Sequence, residues 1–333
     1  MHQLQNSSDI WESLKQTKNL LTFSGGVDST ALFYMMLQKN IPFDIALVNY
    51  NTRKSSNDEE AFARRLAQKH GKLIFVKSVK LNGANFEANA RAVRYEFFDE
   101  VIASGGYERL LSAHQLGDKL EWFFMRFIRG AGAVELCGFS QIEQREGFAV
   151  VRPLIWHTKD ELLAFLTQNG CEYFVDESNF DEKFERNRFR KNFSEPLLKN
   201  YKEGILRSFK ALEEDKKRLL PTEYQKIKSL YIFKRDENEM RLIAKIAKFF
   251  KIVLSKNQQD EIARLDECVV SGKVAVGKNG DFVFIAPYLK DIVMDKAFKE
   301  SCRKAKIPLH VRAYMYKEGI NPDSLHTLIE QSL

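Results

Sequence analysis

Leu20-Leu21-Thr22-Phe23-Ser24-Gly25-Gly26-Val27-Asp28-Ser29-Thr30-Ala31-Leu32-Phe33 runs from a short apolar stretch through two glycines into a helical pattern. The first four residues read as a buried strand and the stretch from Asp28 to Lys39 as a helix, so the glycines form a strand-to-helix turn. Adjacent glycines let the main chain come close to a bound group. Amides and hydroxyls at a helix N-terminus point positive charge at an anion, so the turn is suited to phosphates. It is not a Walker A loop, because no Gly-Lys-[Ser/Thr] follows, and it lacks the G-x-G-x-x-G of a dinucleotide fingerprint. Asp28 adds a carboxylate among phosphate donors, which makes sense if it helps to hold Mg2+.

Outward from this turn the pattern repeats. Further strands are predicted at Phe43–Asn49, Leu73–Val79, Arg109–Ala113 and Phe148–Val151. Between them lie helical stretches at 57–70, 86–103, 118–129 and 159–169, with Gly71, Gly105-Gly106, Gly130 and Gly170 as stops and Thr158 with Glu161 as a capping box. Alternating strands and helices predict an α/β fold, a doubly wound parallel sheet whose ligands sit at the carboxyl ends of the strands.

From Tyr173 to Pro196 the composition turns polar and charged, and the stretch reads as a connection. Beyond it, helical spacing with many lysines covers 197–220 and 239–250 and continues over 260–267. A Gly-Lys-Asn-Gly turn between 273–276 and 281–286 then predicts a hairpin. The expected organisation is a nucleotide-binding catalytic domain over residues 1–195 and a smaller, mainly helical α+β domain over 196–333.

The bulk properties set limits on this reading. The 333 residues, 44% hydrophobic and 29% charged with only 7 prolines, exclude disordered and low-complexity classes. No uncharged apolar run approaches the ~18 residues of a membrane span, and the first residues lack a basic region followed by an apolar one, so no membrane association and a cytoplasmic location are expected. The four cysteines, Cys137, Cys171, Cys268 and Cys302, include no C-x-x-C pair, against a structural zinc site or a cluster. The net charge of +7 is uneven: up to Pro196 there are 25 basic and 26 acidic residues, and after it 27 and 19. A neutral front half followed by a basic back half suggests a polyanion-binding appendage.

After the fourth strand comes Ala113-His114-Gln115-Leu116-Gly117-Asp118-Lys119-Leu120-Glu121, then Arg126-Phe127-Ile128-Arg129-Gly130-Ala131-Gly132. Asp118 and Glu121, three apart at a helix start, share one face and could grip an ammonium group or a metal; such a pair also suits ordinary helix-dipole compensation. Phe123, Phe124, Phe127 and Ile128 on the same helix read as core. Arg91 and Arg94 share a face of the 86–103 helix. Arg186-Asn187-Arg188-Phe189-Arg190 is a basic cluster whose guanidinium groups suit ATP phosphates, an RNA backbone, or both.

These motifs, in this order, carry a resemblance. Ser24-Gly25-Gly26-Val27-Asp28-Ser29 is similar to the S-G-G-x-D-S loop of the PP-loop ATP pyrophosphatase superfamily. Ala113 to Gly132 resembles the A-H-H-x-D-D-Q-x-E-T…R-G-x-G segment of tRNA(Ile)-lysidine synthetases. Asn85 to Tyr95, Arg152-Pro153-Leu154, and Asp176-Glu177-Ser178-Asn179 with Arg186 to Arg190 resemble further elements of that family. The resemblance implies a cytoplasmic ligase that uses ATP and Mg2+ to adenylate the C2 oxygen of the wobble cytidine in a CAU-anticodon tRNA(Ile). L-lysine would then displace AMP to form lysidine; a homodimer is among the assemblies allowed. It implies nucleotide binding by Ser24, Gly25, Gly26, Val27, Asp28 and Ser29, with Asp28 on the metal. Catalytic roles fall to Asp28, Arg94, Asp118, Glu121 and Arg186, and substrate contacts to Arg91, His114, Asn187 and Arg190.

The sequence departs from the pattern at Gly117, Lys119, Trp122 and Tyr50-Asn51. Gly117 removes one candidate ligand, and Lys119 is expected to place a positive charge beside the acids. Two other readings stay open: another PP-loop tRNA modifier such as a thiolase, or a tRNA-binding protein without catalysis.

Overall fold

The computed structural model describes residues 7–51, 55–80, 86–145, 147–174, 185–219 and 224–325. They fall into two units, Met1–Glu213 and Glu214–Leu333. In the first, α1 (Ser7–Lys15) precedes β1 (Asn19–Thr22), α2 (Val27–Gln38), β2 (Phe43–Asn49), α3 (Ser55–Lys69), β3 (Ile74–Ser78), α4 (Phe86–Gly105) and β4 (Arg109–Leu111). Then come α5 (Leu116–Phe127), α6 (Ala133–Leu136), β5 (Ile142–Gln144), β6 (Ala149–Val151) and α7 (Lys159–Gln168). The six-stranded sheet has the order β3-β2-β1-β4-β6-β5, parallel except for β5, which pairs antiparallel with β6.

Alternation along the central strands loads both faces of this sheet. Leu21, Ile45, Leu47, Leu111 and Val151 pack with α2, α3 and α7 on one side, while Leu20, Ala46, Leu110 and Val150 pack with Phe97, Phe98, Val101 and Ile102 of α4 on the other. The chain therefore winds outward from β1 to β3, crosses through α4, and returns beside β1 as β4. This reversal is the switch point at which open α/β sheets bind ligands. It sets the loop after β1 next to the loop after β4, in register at Leu21 and Leu111.

The predicted connection at 173–196 is helical in its second half. α8 (Glu185–Phe189) runs through a π-helical segment, Arg190–Ser194, into α9 (Glu195–Leu219), which kinks at Tyr201. Leu197, Leu198, Ile205, Leu206, Phe209 and Leu212 of α9 pack with Leu116 and Leu120 of α5. This apolar seam keeps the front of α9 with the first unit, which runs to Glu213. Asp176-Glu177-Ser178-Asn179 and Asn85 lie outside the described residues.

Lys119 also departs from expectation. Its side chain is fully buried, donates to the Phe139 carbonyl at 2.9 Å and pairs with Glu213 of α9 at 2.6 Å. The rings of Trp156 and Phe209 lie 5.1 and 5.3 Å from its ammonium. Its charge thus ties α5 to α9.

In the second unit the predicted hairpin, β10 (Val274–Lys278) and β11 (Phe282–Pro287), is the centre of a five-stranded antiparallel sheet. Its other strands are β7 (Gln225–Ile227), β8 (Leu230–Lys234) and β9 (Glu267–Val270), in the order β7-β8-β11-β10-β9. The helices α10 (Glu239–Phe249) and α11 (Lys256–Arg264) pack on one face, and α12 (Lys296–Lys304) and α13 (Leu309–Lys317) on the other.

Lys119→Ala leaves Glu213 without its buried cation and is expected to lower the stability of the first unit by about 3 kcal/mol in urea unfolding. Lys119→Met combined with Glu213→Leu should recover most of that loss. A double variant as unstable as the single one would contradict the role given to this pair.

Candidate active site at the switch point

The loop after β1 is closed by its own hydroxyls. Ser24 and Ser29 lie Oγ to Oγ at 3.1 Å, Ser29 Oγ donates to the Gly26 carbonyl at 3.2 Å, and Thr30 Oγ1 donates to the Gly25 carbonyl at 3.1 Å. Phe174 N–H donates to the same Gly25 carbonyl at 2.9 Å, tying the loop to the chain beyond α7. Gly25 sits at φ +78°, a conformation that favours glycine, whereas Gly26 is extended and caps α2 without a side-chain bond. Its missing Cβ leaves open the approach to the amides of the first turn, Val27 among them. Those amides point to where an anion would lie.

Asp28, in that turn, has a buried Oδ1 with no hydrogen-bond partner among the described residues. Burial, followed by the nearby Asp118 carboxylate, pushes its carboxyl from the ordinary 3.8 up to about 7, against the pull of Lys159 and Arg190. An orphaned, partly protonated carboxylate facing a phosphate loop fits a divalent cation. Among the described residues no group of three or more His, Cys, Asp or Glu side chains is arranged to hold a metal alone. A cation on Asp28 would therefore complete its shell with phosphate oxygens and water, as Mg2+ commonly does.

Across the switch point, α5 begins with Gln115 as its cap. The Gln115 side chain accepts from the Gly117 amide at 2.5 Å, and Asp118 Oδ2 accepts from the Gln115 amide at 3.0 Å. A Cβ on Gly117 would lie 2.9 Å from Gln115 Oε1, so Gln115 and the glycine fit each other. The capping geometry turns Asp118 and Glu121 to one side, where Arg186 and Arg190 meet them. Arg186 donates from Nε to Glu121 Oε2 at 2.6 Å and from its terminal nitrogen to Asp118 Oδ1. Arg190 donates from Nε to Glu121 Oε1 at 2.6 Å. Burial pushes the Asp118 carboxyl up, but Arg186, His114 and the Gln115 amide outweigh it and hold the group below its usual range. The same ion pairs hold Arg186 firmly protonated in spite of burial.

Asp28, His114, Asp118, Glu121, Arg186 and Arg190 thus share one electrostatic cluster. His114 accepts or donates at 2.7 Å to Ser112 Oγ, and burial first, with Arg152, Arg186 and Arg91 adding to it, pushes its imidazole down to about 4, so it is neutral at pH 7. Arg94, on α4, donates at 3.0 Å to the hydroxyl of Tyr50, the residue after β2, while Arg91 covers the Tyr95 ring. Asn187 follows Arg186 on α8, half-buried. Sequence reasoning gave no functional role to Lys159, whose charge reaches Asp28, or to Gln115. Lys159 sits at an ordinary helix start, and only the fold brings it to the loop.

The raised pKa of Asp28 has a sign. Between about pH 4 and 7 the folded protein holds a proton that the unfolded chain releases, so this group's stabilising contribution is present below 3.8 and lost as pH rises through about 7. In metal-free buffer Asp28→Asn is expected to raise Tm by several degrees at pH 8 and to have little effect near pH 4, while weakening binding of ATP with Mg2+ at least tenfold. Equal effects on Tm at both pH values would contradict the assignment.

The PP-loop domain family matches residues 1–197. The chain is 46% identical to the tRNA(Ile)-lysidine synthase of Wolinella succinogenes, covering 93% of this chain and 96% of that protein. It is 41% identical to that of Campylobacter jejuni subsp. jejuni serotype O:2, over 97% and 99% of the two chains. Identity to that of Helicobacter pylori strain 26695 is 40%, over 95% and 94%. Among solved structures, the U34-tRNA thiolase NcsA from Methanococcus maripaludis has the same fold at a TM-score of 0.52 and 19% identity, over 61% of this chain and 74% of that one. No helix among the described residues is long and apolar enough to cross a membrane. With a phosphate loop and a carboxylate pair at one switch point, and relatives of this similarity along nearly its whole length, the chain belongs to the tRNA(Ile)-lysidine synthase family, ATP-dependent ligases built on a PP-loop domain.

Proposed function

We propose that this enzyme converts the wobble cytidine of a CAU-anticodon tRNA(Ile) to lysidine, using ATP and free L-lysine. The observation that carries the reading is the placement of a carboxylate pair, already holding two cationic side chains, beside an open phosphate loop. One half of the crevice suits a polyphosphate and the other an ammonium group.

In this reading the C2 oxygen of cytidine attacks the α-phosphorus of ATP, and the bond to pyrophosphate breaks. The ε-amine of lysine, after losing a proton, then attacks C2, and the C2–O bond to AMP breaks. Adenylation turns a poor oxygen leaving group into AMP; the protein supplies position and charge neutralisation. Ser24, Ser29 and the first-turn amides of α2 hold the phosphates that become pyrophosphate. Asp28 would hold Mg2+, which neutralises phosphate oxygens when bound. Asp118 and Glu121 receive the lysine ammonium in exchange for one of the guanidinium groups of Arg186 and Arg190, and the released guanidinium faces the α-phosphate. The neutral His114 orients by hydrogen bonding.

Arg91, Arg94 and Asn187 are left for the tRNA, as is the basic region after Pro196, with its excess of 27 basic over 19 acidic residues. ATP, lysine and unmodified tRNA meet in the cytoplasm, where we place the enzyme.

Incubation with ATP, Mg2+, labelled L-lysine and unmodified tRNA(Ile) is expected to yield a lysine-bearing cytidine by nucleoside mass analysis, and none on the methionine tRNA with the same anticodon. ATP cleavage without that adduct would move the chain to another PP-loop chemistry. Glu121→Gln should raise the KM for lysine at least tenfold more than the KM for ATP; equal changes would contradict the division of roles. Affinity for tRNA should fall by about 10²-fold or more between about 50 and 200 mM salt. Insensitivity to salt would remove the role given to the basic region.

A further inference from the structure

The apolar face of α5 does not end in the core, as its sequence suggests. Phe127 and Ile128 are 61% and 58% exposed, and Phe193, in the π-helical segment, is 48% exposed. Phe127 lies parallel to Phe123 at 5.8 Å between ring centroids, Phe123 meets Phe124 at 5.7 Å, and Phe124 meets Phe193 at 5.8 Å. The rings form a continuous run with both ends in water. Solvated apolar area of this kind is unfavourable unless something covers it for part of the working cycle.

Three observations define what covers it. The patch adjoins the candidate site: Glu121, Phe124 and Ile128 fall at i, i+3 and i+7 along α5, on one stripe. From Glu121 to Ile128 the helix rises about 10 Å, roughly three steps of a stacked strand at ~3.4 Å each. Among the described residues the unpaired charge around the rings is positive: Arg126 lies over the Trp122 ring at 4.3 Å and Arg188 on α8 is exposed, while Arg129, also exposed, is paired with Glu185 at 2.7 Å. Rings beside guanidinium groups match the stacked bases and phosphates of a single strand, whereas a purely apolar partner would offer Arg126 and Arg188 no anion.

We propose that the exposed ring face formed by α5 and the π-helical segment is a stacking platform for the unpaired anticodon-loop bases that flank the reacting cytidine. The inference rests on the tRNA substrate given above and adds the surface that would hold the loop open while the cytidine leaves the stack. Stacking is tolerant of base identity, so the platform contributes affinity and position; it does not choose between tRNAs that share an anticodon.

Phe127→Ala and Phe193→Ala remove exposed rings, and thermal melting checks that each variant folds. The probe is an anticodon stem-loop RNA carrying 2-aminopurine next to the target cytidine, with binding and fluorescence quenching read together. Each alanine variant is expected to weaken RNA binding by about 5- to 100-fold and to relieve the quenching, with ATP affinity unchanged. Phe127→Trp should retain both. RNA affinity and quenching unchanged in both alanine variants would overturn the proposal. If the variants instead dissociated an oligomer while leaving RNA binding intact, the face would be a contact between copies of the chain, which also overturns it. These readouts need no lysidine formation, so failure of the reaction with the platform effect preserved would count against the function alone.

Discussion

Two carboxylates on one helical turn cannot be buried together without counter-charge, and the first unit is arranged around meeting that requirement. Asp118 and Glu121 begin α5, directly after β4, while the guanidinium groups that neutralise them arrive from α8 and the π-helical segment more than sixty residues later. Removing the guanidinium groups would leave two carboxylates at low exposure without counter-charge, which is far more costly than the pairs themselves are worth. The seam between α5 and α9 and the buried Lys119–Glu213 pair hold the same two helical stretches together. The cluster is therefore supported by packing on one side of α5 while its charged side stays turned to the phosphate loop.

Sheet topology supplies the other half of the arrangement. Because β4 returns beside β1, the loop leading into α2 and Asp28 and the start of α5 lie at adjacent strand ends. Asp28 is raised by burial and by Asp118, while Asp118 itself is lowered by its arginines. Asp28 Oδ1 thus has no hydrogen-bond partner among the described residues, while Asp118 and Glu121 already hold guanidinium groups. The proposed binding of a polyphosphate and an ammonium group side by side draws on that difference, which comes from which neighbours each acid has.

Much of this was legible in the sequence. The strand-turn-helix around Gly25 and Gly26, the alternation of elements, and the Thr158–Glu161 capping box are local patterns, and the fold realises them within a residue or two. Three features were not legible. Lys119 follows Asp118 in the chain, and nothing local says that its side chain turns to Glu213. Phe127 and Ile128 continue an apolar stripe, so periodicity assigns them to the core; their exposure depends on where α9 stops covering α5. The short strands β7 and β9 are too brief to show alternation, and only pairing with β8 and β10 makes them part of a sheet.

The most direct test of the account is a crystal structure of the enzyme with ATP, Mg2+ and L-lysine. The account expects the phosphates at Ser24 to Ser29, the cation on Asp28, and the lysine ammonium hydrogen-bonded to Asp118 or Glu121 with one arginine displaced. Lysine bound elsewhere, with Arg186 and Arg190 still seated on both carboxylates, would contradict it.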